Sequence, residues 1–185
     1  NLVSNMEINW KIPQTIIEIN EYRLKENNKP YNPLVGTIVN EDAMPRVLIS
    51  IPDAPIPEMY IPVEMEVEPI VLALHKGKTL RGTAKGMLGS TSMQSIISIW
   101  RSFIRCRQRY DFEFWAATKW KIYDKETAQL VPFILNRPQR SRLLPELETL
   151  RKANRPIDII LLKARQWGGS TLIDAYQSWI QQEWK

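Results

Sequence analysis

The 24 residues from Ile157 to Ile180, IDIILLKARQWGGSTLIDAYQSWI, constrain the fold more than any other stretch of the chain. They open with a short apolar run, Ile157–Leu162, of the kind that makes a fully buried strand in a parallel sheet. Paired glycines, Gly168 and Gly169, and two hydroxyl residues, Ser170 and Thr171, follow. Leu172, Ile173, Ala175, Tyr176, Trp179 and Ile180 then recur at helical spacing, which predicts a helix over Ser170–Trp184. A strand, a glycine turn and a helix N-terminus in this order aim several backbone N–H groups at one point, where a phosphate is held. Against the template G-x-x-x-x-G-K-[ST], Gly168 and Ser170 fall on their positions, whereas Lys163 stands at the first glycine position and Gly169 at that of the lysine. A lysine at the strand end still reaches over the loop on its four-carbon stem, because only its charge must arrive at the phosphates. The plainer alternative is a strand-to-helix turn that uses two glycines for its geometry alone.

A chain of 185 residues has room for one domain, or one domain with an appendage. Its apolar fraction of 44% and charged fraction of 24% are those of a globular protein, so a core is expected. One cysteine, Cys106, excludes an internal disulfide framework. With one histidine, His75, it leaves almost no material for a zinc site or for histidine-based nucleophilic catalysis. No apolar run approaches 18 residues and no basic-then-apolar leader opens the sequence. The expectation is a soluble protein of a reducing, intracellular compartment, with no membrane partner. The first methionine is Met6, and the native chain is expected to start there.

Charge is unevenly spread. Residues 1–70 carry 5 Lys/Arg against 11 Asp/Glu, and residues 71–185 carry 20 against 9. A positive C-terminal part attracts polyanions such as DNA or nucleotide phosphates. The alternative is a solvated surface balanced by the acidic N-terminal part of the same chain.

Residues 12–27 place Ile12, Ile16, Ile19 and Leu24 near one face and predict a short amphipathic helix, ended by Asn27, Asn28 and Pro30. From Pro45 to Pro69, prolines interrupt β-branched runs, so short edge strands and extended linker are expected, as a connector or as a peptide-recognition segment. Residues 75–89, HKGKTLRGTAKGMLG, hold glycines and basic residues and no acid, and read as a mobile basic loop. Lys76, Lys78, Arg81 and Lys85 lie in it. Ser90 or Thr91 then caps a helix running to Arg109, with Ile96, Ile97, Trp100, Phe103 and Ile104 on its apolar side and Arg101, Arg105 and Arg109 at i, i+4 and i+8. This arginine stripe, with the basic loop, is a candidate polyanion face or simply a solvated one. Cys106 reads as a packing residue. Residues 119–135 alternate apolar and polar types around Asp124–Thr127, the pattern of a β-hairpin. A helix opened by Pro138 follows, and Pro145 must kink or split it.

The run KARQWGGST, with YDKETAQLVPFILNRPQ upstream of it, resembles the deviant Walker A loop and the preceding adenine motif of large terminase subunits, the ATP-driven motors that package DNA into the capsids of tailed bacteriophages. The resemblance covers about residues 108–185. It implies that Lys163 is the relocated phosphate-binding lysine and that Arg165 senses the γ-phosphate, although an arginine there can equally pair with a structural carboxylate. It further implies that Gln166, Gly168, Gly169 and Thr171 line the nucleotide and that Ser170 is the Mg²⁺ ligand of bound ATP. Gln139 matches the adenine-reading glutamine, whose amide presents both an acceptor and donors. As an alternative, Gln139 is a first-turn helix residue facing water. The implied partners are double-stranded DNA, a small terminase subunit and a portal protein, with self-association open, in the cytoplasm of an infected bacterium.

The expected fold class is α/β. A mixed α+β region spans residues 1–110, with a proline-rich connector at about 45–69 and a basic helix at about 91–109. The first β-α unit of a P-loop NTPase, incomplete, spans 111–185. ATP hydrolysis also needs an acid on a neighbouring strand and a carboxylate for the attacking water. Both are expected beyond Lys185, so the chain is read as an N-terminal fragment without turnover or nuclease activity of its own. The competing readings are a helicase-like ATPase fragment, disfavoured by Gly169 where that group keeps lysine, and a non-catalytic DNA- or protein-interaction module.

Overall fold

The structure, a computed structural model, describes residues 32–36, 44–124, 128–160 and 168–184. The helix expected over residues 12–27 lies outside them. The chain divides after Pro30, and Tyr31–Lys185 is one compact unit. The described residues are mixed helix and strand.

Strands β1 (Arg46–Ser50) and β2 (Glu58–Pro62) form an antiparallel hairpin in which Ile49 faces Met59 and Val47 faces Ile61. Period-two alternation sends Met59 and Ile61 inward while Glu58 stays in water. The prolines bound these strands, as expected, but the stretch is more than a connector. Ile49, Ile51, Met59, Ile61 and Met65 are buried in the first core cluster, because the β-branched runs between the prolines are long enough to pair and to cover a helical layer.

That layer is built from α1 (Pro69–Gly77), α2 (Leu80–Leu88) and α3 (Met93–Tyr110). Residues 75–89 are therefore helix, tight turn and helix, and the expected mobile loop is corrected. The glycines there serve packing as well as flexibility: a Cβ on Gly77 would stand 2.4 Å from the Thr83 hydroxyl oxygen, so α1 and α2 touch only because that side chain is missing. Asp53 completes the turn from the β1–β2 loop. Its carboxylate accepts the backbone N–H of Leu80 at 2.6 Å and of Arg81 at 3.0 Å, satisfying orphan donors at the start of α2. For α3 the cap is Ser92, two residues or one beyond the expected Ser90 or Thr91, and its hydroxyl accepts from Ser95 N–H.

Helix α4 (Phe112–Lys119) follows α3 directly, with Asp111 between them. Strands β3 (Lys121–Asp124) and β4 (Gln129–Pro132) form the expected hairpin. Next come a π-helical turn (Gln139–Leu143) and α5 (Leu144–Lys152), then α6 (Gly169–Glu183). Pro145 explains the split: it has no N–H to continue the ladder, and just before it Leu144 N–H bonds the Gln139 carbonyl five residues back. A second core cluster gathers Phe112, Trp115, Phe133, Leu143, Leu144, Leu147, Leu172, Tyr176 and Trp179. Phe112 meets Tyr176 edge-on at 5.2 Å and Trp179 at 5.5 Å, and the Trp179 indole donates to the Gln108 carbonyl at 2.8 Å.

Five ionisable side chains, Arg46, Arg107, Asp111, Glu113 and Arg140, form one buried network. Arg46 grips Asp111 with two hydrogen bonds of 2.8 and 2.9 Å and reaches Glu113 at 2.9 Å. Arg107 donates to Asp111 at 3.1 Å and to the Leu34 and Pro33 carbonyls, and its guanidinium lies over the Phe114 ring. Arg140 bonds the other side of Glu113.

The expected buried strand is corrected in its described part. Residues Ile157–Ile160 belong to no sheet, and Ile160 is 99% exposed. A buried parallel strand needs neighbours on both sides, and among the described residues none pairs with this run.

Candidate nucleotide site

The loop is assembled from two pieces of chain. Helix α6 begins at Gly169, and Gly168 before it adopts φ +77°, the left-handed region that glycine enters without strain. Gly168 offers no side-chain acceptor to the helix, so the N–H groups of the first turn are left for another anion. Ser170 stands exposed on that turn, Thr171 is half-buried and Gly169 is buried. The turn thus has the donor set and hydroxyl that a Mg²⁺-bound phosphate requires. Among the described residues no three His, Cys, Asp or Glu side chains gather as a metal site.

The second piece is Gln139, 29 residues upstream. Its amide Nε2 donates to the Gly168 carbonyl at 2.8 Å. Its Oε1 accepts the Asn136 N–H at 2.9 Å, while Asn136 Oδ1 accepts the Gln139 N–H at 3.0 Å, a reciprocal capping box at the start of the helix. Gln139 is 2% exposed, which corrects the alternative that it faces water. Each end of the amide keeps one further valence, a donor hydrogen and an acceptor lone pair. A Cβ on Gly168 would approach Nε2 to 2.8 Å, so the close seat of the glutamine also requires glycine there.

Of the residues expected at the site, Gln139, Gly168, Gly169, Ser170 and Thr171 are described, and the structure joins the first two directly. Lys163, Arg165 and Gln166 lie outside the described residues. Asn136 was not singled out from sequence, although an asparagine three residues before a glutamine is a legible capping signal. Glu148 gave no such signal. It is buried behind the site, where it accepts two hydrogen bonds from Arg151, at 2.8 and 2.7 Å, and one from the Tyr176 hydroxyl. Burial, then the charge of Glu148, pushes the Tyr176 phenol far above its ordinary value, so it acts as a fixed donor that positions α6 against α5.

The seven basic residues expected on a polyanion face, Lys76, Lys78, Arg81, Lys85, Arg101, Arg105 and Arg109, are all exposed on α1–α3 and the turn between α1 and α2. Arg107, two positions from Arg105 and from Arg109 of the stripe, is fully buried in the ion network. Cys106 is half-buried, and burial, then the nearby Glu68, pushes its thiol up to about 11, which fits a packing residue and not a nucleophile. Among the described residues no helix is long and apolar enough to cross a membrane.

No family model matches the chain, and no curated protein or solved structure matches it either.

Proposed function

We propose that the chain carries the ATP-binding elements of a DNA-packaging motor of the large-terminase type. The observation that supports this most is the hydrogen bond from Gln139 to the Gly168 carbonyl. The sequence reading pairs these two residues as adenine side and phosphate side of one nucleotide, and they meet across 29 positions of chain. In this reading the first-turn N–H groups of α6 take the β- and γ-phosphates, Ser170 ligates Mg²⁺, and Lys163 brings the positive charge that the usual loop places before the hydroxyl residue. Arg165 senses the γ-phosphate, Gln166 and Thr171 line the loop, and the two open valences of the Gln139 amide face the adenine edge. Double-stranded DNA is the substrate moved, with a small terminase subunit and a portal protein as partners.

The test is a fluorescence titration of the 185-residue chain with a labelled ATP analogue and Mg²⁺. Lys163→Ala is expected to weaken binding at least about tenfold, equivalent to roughly 1.4 kcal/mol, with the helical signal unchanged. Equal affinity in wild type and variant would contradict the assignment of Lys163. One observation favours a second reading: Ile157–Ile160 pairs with no strand among the described residues and leaves Ile157 and Ile160 exposed, as in an interaction module that keeps the loop for its geometry alone. That reading predicts no nucleotide binding at all.

A further inference from the structure

Helices α1–α3, with the turn between α1 and α2, carry seven exposed cations that form no ion pair with any described residue. Between Glu68 and Asp111 the sequence holds eight Lys/Arg and no Asp or Glu. Arg107 is spent in the buried network; the other seven are exposed, and among the described residues none of them makes an ion pair. Several of the nearby acids are already committed, while Glu66, just before α1, is exposed and pairs with none of the seven cations. Asp53 caps α2, Glu68 accepts from the Tyr110 hydroxyl, Glu64 is held by Lys152, and Asp111 and Glu113 lie under arginines. Among the described residues these acids therefore do not pair with the seven exposed cations.

The exposed face of α3 is polar along its length. Gln94, Ser98, Arg101, Ser102, Arg105 and Arg109 all reach water, opposite the buried Ile99 and Phe103. At 1.5 Å per residue this face runs for about 22 Å. The aromatic residues of the helix turn the other way: Phe103 is buried, with Trp100 stacked on it at 5.5 Å, and Tyr110 packs on the same core.

We propose that α3, supported by the basic residues of α1 and α2, is a docking surface for double-stranded DNA. Single strands are held largely by stacking bases on aromatic side chains; α3 presents none on this face, and the adjoining Trp184 ring is half-buried and covered by the Arg109 guanidinium at 5.0 Å. The major groove of B-form DNA, about 12 Å wide, admits an α-helix, whereas the deep, narrow groove of A-form RNA does not. A bilayer would take apolar anchors, and the exposed Met87, Leu88 and Met93 sit at the α2–α3 turn and not among the arginines. The inference rests on the motor reading for DNA as the natural substrate. It is tested without nucleotide, so that either reading can fail alone.

The experiment is fluorescence anisotropy of a labelled duplex of roughly 20 base pairs with the 185-residue chain, at salt concentrations from about 50 to about 200 mM. Affinity should fall steeply with salt. Arg101→Glu with Arg105→Glu should weaken binding at least about tenfold and reduce the log–log salt slope by about 2, and Arg101→Gln with Arg105→Gln should move both in the same direction. Lys119→Glu with Lys121→Glu, an equal change of charge on exposed positions of α4 and β3, should leave the slope unaltered. Thermal melting of all three variants checks that folding is intact. An unchanged slope in the arginine variants, an equal loss in the lysine control, or tighter binding to single-stranded DNA, duplex RNA or anionic lipid vesicles would overturn the proposal.

Discussion

Asp111 does four things with one side chain. It follows the last turn of α3, caps the first turn of α4 by accepting from Phe114 N–H, and takes hydrogen bonds from both Arg46 and Arg107. Burial by itself would raise its pKa, but the charges and hydrogen bonds of Arg46, then Arg107, outweigh that and hold the carboxyl below its ordinary range. Two residues on, Glu113 goes the other way: burial raises it by more than Arg46 and Arg140 lower it. The signs for stability follow. The contribution of Asp111 is complete above its unfolded pKa of about 4 and is lost as pH falls through the lower folded value. That of Glu113 is present at low pH and is lost as pH rises through its raised folded value. Asp111→Asn should destabilise the fold by about 3–5 kcal/mol at neutral pH, since it leaves arginines buried beside a neutral amide. It should also flatten the decline in stability below about pH 4. Urea unfolding at a series of pH values reads both, and an unaltered acid limb would show that another carboxylate governs it. In sequence, the capping role of an aspartate before Phe-Glu-Phe is visible. Its link to Arg46, 65 residues away, is not, because no local pattern encodes an ion pair of that span.

At the scale of elements, legibility followed periodicity. Helix α6 was expected over Ser170–Trp184 and runs over Gly169–Glu183, because six apolar residues at 3.6 spacing leave little choice. The hairpin of β3 and β4 and the break at Pro145 were equally readable, since each has a chemical signature in two or three residues. Residues 75–89 differ from the expected mobile loop for an identifiable reason: Gly77 is where two helices touch, and Thr79 caps α2 through its own hydroxyl. The composition of Ile157–Ile160 suits a buried strand, but composition cannot supply the neighbour that buries it. The packing of α6 gives the prediction at this scale. Trp179 is fully buried between Phe112, Tyr176 and the Gln108 carbonyl, so Trp179→Ala should cost about 3–5 kcal/mol in equilibrium urea unfolding. A loss under about 1 kcal/mol would mean that α6 is not anchored where its aromatic contacts put it.

Across the whole unit from Tyr31 to Lys185, the buried ion network ends beside the candidate loop. Arg46 on β1 is joined to Asp111 and Glu113, Glu113 to Arg140, and Arg140 adjoins Gln139 in the π-helical turn, whose amide holds Gly168. The basic helices and the candidate loop thus belong to one continuous structure. The candidate site is legible in the sequence as a motif, and so is the Asn136 cap, while Glu113 and Glu148 are not, because they act through contacts that only the fold creates. If phosphate binds at the start of α6 under Gln139, nitrogen–proton correlation NMR of the 185-residue chain, titrated with ATP and Mg²⁺, should show saturable shifts at the backbone amides of Gly168, Gly169 and Ser170 and at the side-chain amide of Gln139. A spectrum in which these four signals stay still at saturating nucleotide, or in which only the arginine face of α3 responds, would contradict it.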